Sequence, residues 1–206
     1  MKRNFFIRRA SFLLTLALVL SSSGNKTATA VNIAVPVAPS TVAAAEGNIN
    51  VNGFFSVERA QRGSSFQAAI VLDIPGGLHV NSNKPLGKYS VPTTIKIEAP
   101  RGFRVTPVTY PRAIVRNFKF GDEAPNERLA VYEGRAIARF NVTVPANFET
   151  GVTNVRVNVR YQSCSNEVCF PPATRQLTLA IAIVGANESA PRINGQYFGN
   201  GGRKRR

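Results

Sequence analysis

Cysteine and histidine are scarce in this 206-residue chain, which holds two cysteines, Cys164 and Cys169, and one histidine, His79. Those three side chains fall one short of a closed four-ligand zinc site, and no second cysteine pair exists to complete one. A cysteine hydrolase needs a base and an orienting group beside its nucleophile, which a lone histidine in a strand-rich chain supports poorly. No apolar run reaches the roughly twenty residues that span a bilayer as a helix. Beyond the first thirty residues, apolar side chains never recur at helical spacing for long enough to mark a helix, so a bundle is disfavoured. Internal repeats are absent too, which argues against propellers and solenoids.

The start of the chain reads as an export signal. Met1 to Arg9 carries Lys2, Arg3, Arg8 and Arg9 with no acid, Ser11 to Leu20 is nearly continuous apolar sequence, and Ala28-Thr29-Ala30 offers the small residues a signal peptidase reads. Residues 1–30 are therefore expected to be a signal peptide and the mature protein to be periplasmic or secreted, with no membrane span. The leader has no cysteine, which excludes lipid attachment at a lipobox. In an exported chain two cysteines stay oxidised unless a reductant is supplied.

The net charge of +15 is unevenly spread. Lys2, Arg3, Arg8, Arg9 and Lys26 lie in the leader, and Arg192, Arg203, Lys204, Arg205 and Arg206 in the tail, so residues 31–190 keep 16 basic against 11 acidic residues. That is an ordinary solvated surface, and no nucleic-acid partner is expected. Residues 31–46, rich in Ala, Val and Pro, read as a linker, and residues 187–206, ending in "GNGGRKRR", as a flexible basic tail.

Residues 47–186 remain for one domain with a core of its own. There the recurring pattern is alternation with period two, in Ile49 to Glu58, Ser65 to Ile74, Thr93 to Ala99, Arg135 to Val144, Val152 to Gln162 and Thr174 to Val184. Pro75-Gly76-Gly77, Pro100-Arg101-Gly102, Glu133-Gly134 and Glu149-Thr150-Gly151 punctuate these runs. Short strands with turn chemistry at this spacing predict an all-β fold, an antiparallel sandwich of the immunoglobulin-like kind.

Both cysteines stand in "YQSCSNEVCFPP", Tyr161 to Pro172, between the last two alternating runs. Hairpin geometry at such a connection brings two sulfurs together. As a staple the bridge contributes little, about 2 kcal/mol for a closed loop of about six residues. Pro171 and Pro172 stiffen the exit from the loop. A rigid loop presenting two sulfurs suits exchange with another protein, while a permanent bridge in a secreted binding module fits the same residues, so composition and spacing leave both open.

The motif itself resembles the N-terminal periplasmic domain of the thiol:disulfide interchange protein DsbD: Tyr-Gln, a cysteine, a short spacer, a second cysteine, an apolar residue and Pro-Pro. The order of the flanking segments is similar over about residues 48–184, including "FKFGDEAPNERLAVYEGRAIARFNVTVP" upstream. The resemblance implies an immunoglobulin-like domain whose cysteine pair takes electrons from a thioredoxin-like domain and passes them to periplasmic oxidoreductases. It implies that Cys169 forms the mixed disulfide with thioredoxin-like partners and Cys164 resolves it, with no metal or organic cofactor. With neither a membrane span nor a thioredoxin-like domain visible in the sequence, the electron source is expected to be a separate protein, such as a membrane electron carrier, or to be absent.

Further side chains are candidates for supporting roles. The loop that caps the cysteines in that family is expected within Asn117 to Tyr132, where Phe118 and Phe120 offer apolar cover and Asp122 and Glu123 carboxylates; an acidic turn after an edge strand accounts for the same four residues. His79 lies where the family tends to place aromatic side chains, and it reads either as a proton acceptor for a thiol or as a strand-end histidine without a role. Glu167 opposes a thiolate, whereas Arg160 and Arg175 support one. Tyr161 and Gln162 match the motif, but on an alternating strand one of the two is expected to face the core.

Overall fold

In the computed structural model, residues 47–120 and 125–199 are described. The expected signal peptide and linker, Asp122 and Glu123, and residues 200–206 of the expected tail lie outside that set. Twelve strands follow in chain order: β1 (Asn50–Phe55), β2 (Arg59–Gln61), β3 (Ser65–Asp73), β4 (His79–Asn81), β5 (Thr94–Glu98), β6 (Arg104–Val105), β7 (Ile114–Phe118), β8 (Glu127–Tyr132), β9 (Arg135–Thr143), β10 (Gly151–Tyr161), β11 (Ser163–Cys164) and β12 (Ala173–Val184). Among the described residues one short helix, α1 (Gly195–Phe198), follows them. The fold is the expected all-β immunoglobulin-like sandwich, and each of the six alternating runs became a strand, five of them within one residue of their expected ends and the first stopping at Phe55, three residues short of Glu58.

Two four-stranded sheets make the sandwich, in the orders β1-β3-β9-β6 and β2-β12-β10-β5. Their pairings are antiparallel except for β2 beside β12. Alternation explains the core directly, because residues two apart on a strand face the same side. Ala68, Ile70 and Leu72 of β3 and Ala138, Phe140 and Val142 of β9 meet Val155, Val157 and Val159 of β10 and Ile181 and Ile183 of β12 in one buried cluster.

A third sheet, β11-β4-β8-β7, carries the first cysteine. Its two faces do different work. Val80 and Tyr132, directly paired across β4 and β8, point into the main core. The opposite face holds Leu129 and Val131, which pack with Phe118 and Phe120 in a small separate cluster. Tyr132 also fixes the chain leaving β4, since its hydroxyl donates to Asn83 Oδ1 at 2.7 Å and accepts from Asn83 N–H at 3.2 Å.

The segment expected to be a free tail from residue 187 is docked as far as Tyr197. Ile193 N–H donates to Ser56 O and Glu58 N–H to Pro191 O, Asn194 Nδ2 donates to Phe55 O, and Arg139 Nε to Tyr197 O. The Tyr197 ring stacks on Phe54 at 4.2 Å. Composition pointed to a tail, but edge-strand hydrogen bonds and one aromatic stack hold this stretch against the sandwich. Among the described residues no helix is long and apolar enough to cross a membrane.

Candidate functional site

The connection between β10 and β12 builds the cysteine loop. These strands pair antiparallel along their whole length, from Gly151 opposite Ile183 to Tyr161 opposite Ala173, so residues 162–172 must turn back within a short span. They do so as a miniature hairpin. Phe170 N–H donates to Ser163 O at 2.9 Å, Cys164 and Cys169 form a bridge pair, and Ser165 N–H closes the turn on Val168 O at 2.8 Å. Ser165 Oγ accepts from both Glu167 N–H and Val168 N–H at 3.1 Å, which fixes the turn between the cysteines.

Within this hairpin Cys164 and Cys169 are joined in a disulfide. Their environments differ sharply, for Cys164 is fully buried at 0% exposure and Cys169 is exposed. Cys164 belongs to β11 and is buried within the third sheet, whereas Cys169 sits beyond the turn at the rim of an open groove of about 410 Å³. Phe120, Leu129, Gln162 and Val168 line that groove with Tyr89, and Glu127 and Glu167 supply its carboxylates. Tyr89 and Val168 are 83% and 52% exposed, a large apolar presentation beside Cys169.

The loop is clamped from below. Gln162 Oε1 accepts from Asn81 Nδ2 at 3.1 Å and from Val91 N–H at 3.2 Å, while its Nε2 donates to Phe170 O at 3.2 Å. One side chain thus ties β4, the segment before β5 and the exit of the cysteine hairpin together. Gly47 completes the support. Its backbone adopts φ +66°, its carbonyl accepts from Ser163 Oγ, and the Phe170 ring lies so close over it that a Cβ there would collide.

The expected supporting residues separate into distinct groups. Tyr161 is the member of the Tyr-Gln pair that faces the main core, at 1% exposure, with a buried hydroxyl that has no hydrogen-bond partner. Phe118 and Phe120 stack on each other at 5.9 Å, Phe118 within the small cluster and Phe120 at the groove. Phe118 ends β7, which is an edge strand, and the loop after it leads into β8. Asp122 and Glu123 fall in that loop, outside the described residues. Arg160 and Arg175 are exposed, and Arg175 is engaged with Asn48 Oδ1 at 3.0 Å.

His79 is buried at 2% exposure. It pairs directly with Cys164 across β4 and β11, and directly paired residues project to the same face. Its ring stacks on Phe118 with centroids 3.9 Å apart and planes 23° apart. Burial pushes its pKa down to about 4, with the Glu133 carboxylate pulling the other way. The groove-lining roles of Tyr89, Glu127, Leu129 and Val168 had no sequence signal, because tertiary packing alone assembles them around Cys169.

The fold and the site define a β-sandwich domain with one cysteine pair set asymmetrically on a tight hairpin. The chain belongs to the family described as thiol:disulfide interchange protein DsbD, N-terminal, whose model matches residues 50–181. Membership supports thiol–disulfide exchange as the chemistry of the pair. Among solved structures it is similar to the reduced N-terminal domain of DsbD from Neisseria meningitidis, at 12% identity and TM-score 0.38, covering 69% of this chain and 88% of that one. It is similar also to the N-terminal periplasmic domain of ScsB from Proteus mirabilis, at 13% identity and TM-score 0.42, covering 69% and 48%. No curated protein matches the sequence.

Proposed function

We propose that this chain is an exported thiol–disulfide exchange domain that passes electrons between thioredoxin-like partners through Cys164 and Cys169. The observation that carries the reading is the burial asymmetry of the pair at the rim of a groove. Only an exposed sulfur can meet a partner's sulfur in line, so Cys169 is the residue that forms the mixed disulfide. Cys164, buried behind it, attacks Cys169 Sγ to release the partner. In the opposite direction the same two steps run in reverse, so the geometry serves both, and the reduction potentials of the couples set the direction.

The exposed Tyr89 and Val168 and the half-buried Phe120 give a partner an apolar footing beside Cys169. A thioredoxin-like oxidoreductase fits that surface, with a separate membrane electron carrier as the source of electrons. The leader supports a periplasmic or secreted location.

Two measurements test the reading. The reduction potential of the Cys164/Cys169 couple in the mature protein is expected above about −300 mV, the range of exchangeable bridges. A value well below it identifies a permanent structural disulfide and favours a binding module instead. In parallel, Cys164→Ser is expected to accumulate a mixed disulfide with an oxidised thioredoxin-like protein, whereas Cys169→Ser accumulates none; equal trapping by both variants overturns the assignment of roles.

A further inference from the structure

The reaction described above moves a proton that neither cysteine can hold throughout. Cys164 begins as a thiol in a site without solvent contact, where desolvation disfavours its thiolate. Becoming a nucleophile requires a neighbouring group to accept its proton. Direct strand pairing sets His79 opposite Cys164 on the same face of the sheet. His79 Nε2 is fully buried and has no hydrogen-bond partner while the disulfide is closed. A buried nitrogen left without a partner is destabilising, and this one is kept beside the cysteine pair.

The other groups around His79 are already engaged. Continuing the register of β4 with β8 sets Glu133 opposite His79, and Arg116 of β7 holds the Glu133 carboxylate in a two-pronged contact at 3.1 and 3.2 Å. Phe118 covers one face of the imidazole. Among the described titratable groups set on this face by strand register, Cys164 is the one that changes its proton content when the pair is reduced.

We propose that His79 is the acceptor for the Cys164 thiol proton: in the dithiol form Cys164 Sγ–H donates to His79 Nε2, and the proton crosses to Nε2 as Cys164 Sγ attacks Cys169 Sγ. This rests on the role assignment above, in which Cys169 carries the partner. The step balances. The Cys169–partner S–S bond breaks as the Cys164–Cys169 bond forms, the two bonding electrons leave with the partner's sulfur as a thiolate, and the proton held by His79 passes on to that thiolate. A histidine whose pKa burial has lowered to about 4 is neutral at working pH and a weak base, so it holds the proton only while the sulfur attacks and gives it back readily. The orphaned nitrogen of the disulfide form is thereby satisfied in the dithiol form alone.

Because His79 is the only histidine of the chain, its ring signals need no assignment. In the wild-type protein the Nε2 resonance is expected to move toward a hydrogen-bonded position on reduction; an Nε2 shift equal in both redox states overturns the proposal without any variant. The kinetic test uses glutathione as the leaving group, loaded on Cys169 as a mixed disulfide, with its release followed from pH 5.5 to 9.5. His79→Gln, which can accept a hydrogen bond but not the proton, and His79→Phe are both expected to slow release by about 100-fold near pH 7, the usual scale of general-base catalysis. The gap is expected to narrow toward the alkaline end of that range, as a growing share of the Cys164 thiol ionises without a base. A gap that stays constant with pH marks a packing effect and overturns the proposal, as does a wild-type rate in His79→Gln. Glutathione release needs no protein partner, so failure of exchange with thioredoxin-like proteins and failure of the His79 step are read separately.

Discussion

In the large sandwich, strands of nine to twelve residues put every second side chain into one continuous apolar core, as with Ala68, Ile70 and Leu72 facing Val155, Val157 and Val159. In the small sheet, β4 and β11 have three and two residues, and the apolar cluster on the site face is built from Phe118, Leu129 and Val131 with Phe120 against it. Of the four buried side-chain atoms without partners among the described residues, two, His79 Nε2 and Asn81 Oδ1, fall in the three residues of β4, whereas Tyr161 Oη ends β10 and Arg62 Nε follows β2. The sandwich supplies the stability that lets a small, imperfectly satisfied sheet carry the sulfurs.

If that division holds, the largest effect on folding comes from a residue remote from the cysteines. Ile70→Ala, at a position with 0% exposure, is expected to cost about 2–5 kcal/mol in denaturant unfolding and to leave the reduction potential where it was. A shift in potential as large as that of a site variant would show that the two regions are not separable.

Next comes the pH dependence of the small sheet. The folded pKa of His79, about 4, lies below its ordinary value of 6.5, so between these values the unfolded chain binds a proton that the folded chain does not. Stability from this group is complete above about pH 6.5, falls as the pH drops toward 4, and levels off below, by up to about 3 kcal/mol in all. His79→Phe removes this fall, and the difference between its urea midpoints and those of wild type from pH 7.5 to 3.5 isolates it. Parallel curves for the two proteins would refute the assignment.

Reduction of the disulfide is expected to lower stability by only about 2 kcal/mol, since the closed loop is short. Comparing thermal or urea unfolding with and without reductant checks this, and global unfolding on reduction would make the bridge a structural staple. The smallest effect is a gain. Tyr161→Phe deletes a buried hydroxyl without a partner and is expected to stabilise the oxidised protein by about 1 kcal/mol. A loss of similar size would mean that the hydroxyl has a bonded role in the core.

The parts of the fold legible in advance were those where one physical pattern is long enough to dominate. Runs such as "RAIARFNVTV" and "VTNVRVNVRYQ" alternate over many residues, and each became a strand of the sandwich. The small sheet left no such trace. β7 is exposed at every position but Phe118, β4 is buried at all three positions, and neither pattern alternates. Likewise Cys164 and Cys169 stood out by rarity and motif, and His79 by being alone of its kind, while Leu129, Glu127 and Tyr89 are ordinary residues that matter because of what lies next to them. Gln162 carried a signal as half of the Tyr-Gln pair, but its role as a three-way clamp depends on Asn81, Val91 and Phe170, which lie far apart along the chain or across the turn.

By itself, then, the sequence determined the all-β class, the sandwich strands and the pairing of two cysteines across a hairpin, because period-two burial and short-range chain closure are local properties. Tertiary structure alone decided that Cys164 is buried and Cys169 exposed, that the stretch before Tyr197 is docked and that His79 stands opposite a sulfur. Those outcomes depend on which strands become neighbours, and strand neighbours are chosen by the packing of the whole core, not by the residues on either side in the chain.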